Sequence, residues 1–347
     1  MQSQDGSKKI SISICAINCP LRKTTTFSSF ISSLLTSGLF QEVIMQSGSA
    51  LCDWAIERNP FQYMEQIGEA LECFGTSEEL ATCLRTKSAE ALISAQEGLH
   101  AIWITPMRAT PIVDNEWRGD AALLPADPEI LMDSGAFPNI PIMLGVTSEE
   151  GLLAYCPIRL EVGAQKFQDP EYFKQQLLPK LLFSLLDDPS EIDSISKAVL
   201  GQYLEGVDIE NDTKVVISEM VNLLGDLIFY GCHWKTLEKF AMNPRLSVYS
   251  YVFSHRTPRS PSSLKLLTQG LRHEGTYHPI FDSGVAHGDE LYYLFEPNGH
   301  AKGFGSRPER LTLTDERMAE MMTQIWVTFA STGYAKIIFM QFFTTTS

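Results

Sequence analysis

The 347-residue sequence predicts an α/β fold, with a mostly parallel sheet among many helices. Three observations carry that expectation. Ile142-Met143-Leu144-Gly145-Val146 is a short apolar run without polar alternation, the pattern of a strand covered on both faces. Val43-Ile44-Met45 and the stretch from Ser247 to Phe253 read as two further short strands. Between them, above all over residues 157–240, apolar residues recur at helical spacing.

The composition fits that class. An apolar content of 44% fills a sizeable core, in one large domain or two smaller ones. Acidic residues number 42 against 27 basic ones, and a net charge of -15 disfavours a phosphate backbone as partner. No basic stripe interleaved with aromatics occurs, so nucleic acid is not expected. No run of about 20 uninterrupted apolar residues occurs, so no membrane span is expected.

In chain order, residues 1–38 are rich in Ser, Thr and Lys and follow no clear period, and residues 1–37 are expected to be poorly ordered. Lys8 and Lys9 precede an apolar part that Ser11, Ser13 and Asn18 interrupt, so the segment makes no convincing secretory signal. Phe40 to Met45 leads into the first strand, closed by Gln46-Ser47-Gly48-Ser49. Asn59-Pro60 reads as a helix cap and first turn, with Tyr63, Met64, Ile67, Leu71 and Phe74 continuing at helical spacing to Gly75. Thr76 with Glu79 reads as a capping box for a second helix through Leu84, and a third spans Ser88 to Gln96. Prolines break the stretch from Thr105 to Asp114, which is expected to be a surface loop. Asp127-Pro128 opens a short helix that stops near Gly135.

Past the central apolar strand, Phe229, Tyr230 and Trp234 in the helical third are expected to pack in the core. The strand from Ser247 to Phe253 is expected to be buried. A helix from Leu313 to Ala330 follows, with Thr314 standing before Asp315-Glu316-Arg317 and Met318, Met321, Met322, Ile325, Trp326 and Phe329 along one side. Its methionines read as packing.

The chemistry concentrates in Gly284-Val285-Ala286-His287-Gly288-Asp289-Glu290. A histidine between small residues, on a turn ahead of an apolar run, is held where a neighbour can reach its ring. Its partners would be Glu149 and Glu150, which follow the strand at 142–146; in open α/β sheets, ligands and catalytic groups collect at that end. A carboxylate behind a histidine fixes the imidazole tautomer and stabilises the imidazolium, the work of acid and general base in a hydrolase. The serine of such a site sits on a G-x-S-x-G elbow, and no such elbow occurs in these residues. A zinc site is a weaker reading, because His273, Glu274 and His278 fall one residue outside H-E-x-x-H spacing and Gly275 interrupts the helix. No metal and no cofactor is expected.

Of the seven cysteines, Cys15, Cys19, Cys52, Cys156 and Cys232 show no metal-like spacing. The capped helix between Cys73 and Cys83 would bring Cys83 back towards Cys73, which suits a disulfide and equally two buried thiols. Asn211-Asp212-Thr213 is a glycosylation triplet, meaningful only in a secreted chain.

Four stretches, in order, resemble the type-B carboxylesterase and cholinesterase family in its insect esterase form. They are Phe40-Gln41-Glu42-Val43-Ile44-Met45-Gln46-Ser47-Gly48-Ser49, Gly145-Val146-Thr147-Ser148-Glu149-Glu150-Gly151, the His287 stretch through Leu291, and Ile325-Trp326-Val327-Thr328-Phe329-Ala330. The resemblance covers about residues 38–333. It implies the carboxyl-terminal portion of an α/β-hydrolase fold, with an incomplete, mostly parallel central sheet and many helices. It also implies that Glu150 is similar to the triad acid, His287 to the triad base and Ser47 to a buried serine supporting the acid, and that Cys73 and Cys83 form a disulfide. The substrate implied is a small carboxylic ester, and the family compartment is secreted or endoplasmic lumen.

The sequence departs from the family where the nucleophile belongs. Stepping back from the strand near Phe40 puts Leu21 at that place, within Cys19-Pro20-Leu21-Arg22-Lys23 and without either elbow glycine. Ser28, Ser29 and Ser47 are formal substitutes, none in a strand-to-helix turn. The glycine-rich oxyanion loop and the earlier strands are expected to be missing as well, leaving a sheet edge through which the chain would self-associate. Residues 1–37 and 334–347 are expected to be foreign to the fold, and the chain to be an inactive truncated fragment. The alternative is a non-enzymatic binding or adhesion member, since this fold also serves ectodomains without a working triad.

Overall fold

A computed structural model of the chain describes residues 40–335 except 104, 136, 168, 186–188, 209–212, 258–259, 261, 263, 265–283 and 296–310. The amino-terminal segment, the glycosylation triplet's Asn211, the His273, Glu274 and His278 group, and the tail beyond Ala335 lie outside the described residues.

Among the described residues three strands, β1 (Val43–Gln46), β2 (Ile142–Thr147) and β3 (Val248–Phe253), form a parallel sheet in the order β1-β2-β3. Val43 pairs with Ile142, and Ile142 with Val248. Every residue of β2 is buried, which explains its unbroken apolar run. Successive side chains go to opposite faces: Ile44 and Met143 enter one core cluster, while Val43, Met45, Ile142 and Leu144 enter another. Among the described residues the sheet does not close, and many helices surround it; the fold is the α/β arrangement the sequence predicts.

Among the described residues the helices of six residues or more are α1 (Pro60–Ala70), α2 (Ser77–Leu84), α3 (Ala89–Glu97), α4 (Pro128–Asp133), α5 (Leu152–Val162), α6 (Leu178–Leu185), α7 (Ile192–Tyr203), α8 (Thr213–Gly225), α9 (Gly231–Ala241) and α10 (Leu313–Thr332). One face of the sheet meets α10 through Met318, Met322, Trp326 and Phe329. The other meets Met132 of α4 and Phe240 of α9. A separate helical core gathers Leu152, Tyr155, Leu178, Leu182, Leu224 and Phe229. Helices α1 to α3 pack around Tyr63, Ile67, Leu80 and Leu84, and the Cys73–Cys83 disulfide expected from the resemblance is formed there.

A π-helical turn, Asp226–Tyr230, joins α8 to α9, so Lys214–Ala241 is one continuous helical run. Its length and composition would let it cross a membrane, but half of its apolar window is buried inside the protein, as for a core helix.

Several local expectations need correction. Asn59 does not cap α1 through its side chain, and that helix stops at Ala70. The capping box of α2 is present as read, with Thr76 and Glu79 bonded reciprocally. For α10 the cap is Thr312, not Thr314, because Thr312 stands three residues before Asp315 and exchanges both capping bonds with it. β3 is only half buried, with Ser250 and Val252 exposed, because it stands at an edge of the described sheet. Trp234 is 52% exposed on α9, whereas Phe229 is fully buried.

Candidate functional site

The site is built where β2 ends. After Thr147 the chain makes a tight turn through Ser148, Glu149 and Glu150, and α5 starts at Leu152. The turn directs the two carboxylates differently. Glu149 Oε2 accepts the Val285 N–H at 2.6 Å, and its own N–H donates to the Val285 carbonyl at 3.0 Å, pinning the loop that carries His287. Glu150 is fully buried and faces the histidine itself.

His287 Nδ1 lies 2.8 Å from Glu150 Oε2. The other carboxylate oxygen accepts the Thr147 N–H at 2.7 Å and the Ser47 hydroxyl in a short contact. A buried carboxylate is stable only when its lone pairs are occupied, and here three donors occupy them. Ser47 reaches it from the end of β1 with φ at +54°, a left-handed conformation rare for a residue with a side chain. Glu150, His287 and Ser47, the three residues singled out by the resemblance, therefore converge on one carboxylate.

The pairing sets the electrostatics. Burial lowers the pKa of His287, but the Glu150 charge and hydrogen bond, with Glu290 and Asp289 nearby, outweigh it and leave the pKa raised. Glu290 is buried in the same region, and burial together with the Glu150 charge pushes its pKa up to about 7. One Glu290 oxygen accepts from Gln46 Nε2 at 3.1 Å, and the other has no hydrogen-bond partner among the described residues. Gln46 in turn accepts from Trp326 Nε1 of α10 at 3.3 Å. Asp289 caps its own turn through the Ala286 N–H at 3.0 Å and meets Arg256 at 2.9 Å.

Two aromatics complete the surroundings. Phe229 stacks on the His287 ring, with centroids 4.6 Å apart and planes 25° apart. The Tyr230 hydroxyl donates to the Thr147 carbonyl at 2.7 Å and accepts the Glu150 N–H at 3.4 Å. Periodicity places both residues in the core, and nothing in helical spacing distinguishes a core aromatic from one lying against a histidine. The Cys52–Cys232 disulfide was likewise invisible in the spacing, since its cysteines are 180 positions apart. Among the described residues no group of three or more His, Cys, Asp or Glu side chains is arranged to hold a metal ion.

A parallel sheet with a carboxylate after its central strand, joined to a histidine from a later loop, defines a protein of the α/β-hydrolase class. The chain belongs to the carboxylesterase family, whose model matches residues 25–341. Among curated proteins it is 27% identical to juvenile hormone esterase of Tribolium castaneum over 310 residues, 85% of this chain and 49% of that protein. It is 27% identical to neuroligin-3 of Mus musculus over 328 residues, 90% of this chain and 35% of that one. Esterase FE4 of Myzus persicae is 26% identical over 312 residues, 86% of this chain and 49% of the esterase. The chain thus spans half or less of the length of these relatives.

Proposed function

We propose that these residues are the acid and base half of a type-B carboxylesterase, with Glu150 as orienting acid, His287 as general base and Ser47 as support for the acid, and that by themselves they do not hydrolyse esters. The 2.8 Å contact between His287 Nδ1 and Glu150 Oε2 carries this reading, because it selects the imidazole tautomer whose other nitrogen can take a proton. A serine nucleophile would give its proton to that nitrogen, and Glu150 would stabilise the imidazolium. The 347 residues contain no elbow to present such a serine. Ser47 cannot substitute, since its hydroxyl is already donated to Glu150. A small carboxylic ester is the substrate class of a completed site.

The relatives include proteins named esterases and proteins named neuroligins, so the matches do not by themselves single out the esterases. That favours, as a second reading, an inactive member of the fold that acts by binding. Pairing through the open sheet edge, where β3 exposes Val252, is the self-association this reading would use. Two disulfides suit an oxidising compartment, secreted or endoplasmic lumen.

The test is p-nitrophenyl acetate turnover and fluorophosphonate labelling of the purified chain beside His287→Ala. The expected outcome is no labelled serine and equal background turnover in both proteins. A serine that labels in the wild-type chain and not in the variant would overturn the proposal.

A further inference from the structure

We infer that Phe229 is the positioning residue for the His287 imidazole, and that the Cys52–Cys232 disulfide, with a hydrogen bond on either side of it, locks the helical turn presenting Phe229. The inference rests on the Glu150–His287 pairing proposed above and concerns what holds the ring in that pairing.

The hydrogen bond that His287 Nδ1 donates to Glu150 constrains the imidazole within the plane of its ring, but does not prevent rotation about the Nδ1···Oε2 line. Phe229 supplies the missing constraint. Its ring lies nearly parallel to the imidazole at a centroid separation of 4.6 Å, so any tilt drives an imidazole edge into the phenyl face. Phe229 has no exposed surface and therefore no space to retreat into. Trp54 closes it from another side, edge to face, at 6.0 Å and 69°.

Phe229 reaches this place because it sits in the π-helical turn Asp226–Tyr230. A π turn accommodates one more residue than an α turn, which changes the phase of the helix locally. Here the change lets Phe229 lie under the imidazole while Tyr230 reaches the Thr147 carbonyl.

Three links along one face hold this run from outside. The Ile228 carbonyl accepts from Trp54 Nε1 at 2.7 Å, Cys232 is bonded to Cys52, and Thr236 is 2.6 Å from the Ser49 hydroxyl. Thr236 donates its own proton to the Cys232 carbonyl, so Ser49 is the donor. Positions 228, 232 and 236 repeat every four residues, one face of a helix. Their partners Trp54, Cys52 and Ser49 follow in reverse order along the segment that starts at Ser47. One end of that segment thus touches Glu150 through Ser47, and the rest is laced to the helix that carries Phe229. The support of the carboxylate and the platform under the imidazole are parts of one cross-linked unit.

The test is NMR of the full chain with histidine rings labelled in 15N and 13C, the His287 signals being assigned by their loss in His287→Ala. In the wild-type chain the His287 ring protons are expected upfield of their ordinary positions and narrow, from the phenyl face above them. Phe229→Leu is expected to abolish the displacement and broaden the signals while the Nδ1–H signature of pairing with Glu150 persists; Phe229→Tyr restores the displacement. A paired Cys52→Ala and Cys232→Ala variant is expected to broaden the signals with Phe229 still present, and a non-reducing peptide map of the wild type to contain the Cys52–Cys232 link.

Ordinary His287 shifts in the wild type, or shifts unchanged in Phe229→Leu, overturn the stacking role. Signals unaffected by removing the disulfide overturn the lock. Absence of the Nδ1 signature in the wild type would instead overturn the Glu150–His287 reading, so the two failures are distinct. Far-ultraviolet circular dichroism equal to wild type separates loss of the stack from loss of the fold, and the Tyr variant tests the stack where the Leu variant does not fold.

Discussion

Glu150 Oε2 and His287 Nδ1 lie 2.8 Å apart although the two residues are 137 positions apart in the chain. The carboxylate reaches that position from the turn after β2, and the histidine from a loop that Glu149 ties to the same turn through Val285. Burial and charge oppose each other in this pair. The Glu150 charge favours a proton on the histidine while burial disfavours it, and the carboxylate would itself be costly to bury alone.

Glu150→Gln separates the two effects. With the negative partner gone, burial acts on His287 unopposed by Glu150, so its titration midpoint is expected to fall well below the wild-type value. Removing one member of a buried pair also costs roughly 3 kcal/mol of stability. An NMR titration of the histidine ring and a urea melt measure the two. A midpoint that does not move would show that Glu150 does not govern His287.

Glu290 gives the chain a predicted dependence on pH. Its pKa rises from 4.5 to about 7 on folding, so between those values the folded state holds a proton that the unfolded state releases. Stability from this group is complete below pH 4.5, falls as pH rises towards 7, and stays low above it, a loss of roughly 3 kcal/mol at most. His287, also raised, has the same sign. Glu290→Gln is expected to flatten the fall between pH 4.5 and 7 and to be more stable than wild type at pH 8, as read from thermal melts across that range.

What the sequence makes legible follows from which interactions are local. The unbroken run from Ile142 to Val146 marks a strand covered on both faces, and the strand is so covered. Thr76 and Glu79 are three residues apart, so their box can be read directly; the same rule applied to Thr312 and Asp315 would have found the cap of α10. Partnerships over long separations leave no such mark. Cys52 with Cys232 and Phe229 with His287 are brought together by the packing of a helix on a sheet, and neither residue type nor spacing announces the pairing. The half exposure of β3 was hidden for a related reason, since an edge strand and a central one can share an apolar pattern.

Asp315 joins three segments and should fail cleanly when changed. Its Oδ1 accepts from Ser260 at 2.7 Å and Tyr293 at 3.0 Å and meets His255 Nε2 at 3.1 Å; its Oδ2 accepts from the Thr312 N–H and hydroxyl at 3.1 and 2.6 Å. Burial would raise its pKa, but these hydrogen bonds outweigh it and hold it at about 2. The stabilisation is present above the unfolded value of 3.8 and is lost as pH falls towards 2. Asp315→Asn replaces one acceptor oxygen with a donor facing donors, and is expected to cost roughly 2 kcal/mol at pH 7. Urea denaturation at pH 7 and at pH 3 tests this, with the gap between variant and wild type narrowing at the lower pH.

Gly151 and Gly145 allow the packing around the site to be tested without touching either Glu150 or His287. A Cβ on Gly151 would stand 1.9 Å from the Val221 carbonyl oxygen and 2.6 Å from the Gly225 nitrogen, both backbone atoms of α8. That contact brings α5 and α8 together just past the Glu150 turn, and it cannot be relieved by rotating a side chain. A Cβ on Gly145 would also be too close, 2.3 Å from the ring of Tyr251, its register partner on β3. The Tyr251 ring is a side chain and not backbone, so it can shift at the cost of its edge-to-face packing on Trp326. Overpacking of a relaxing site costs about 1 to 3 kcal/mol, which is the range expected for Gly145→Ala. Gly151→Ala is expected to exceed it, because α8 as a whole must shift and take Phe229 and Tyr230 with it. Denaturant midpoints of the two variants rank them, and equal midpoints would show that α8 is free to move away from the turn.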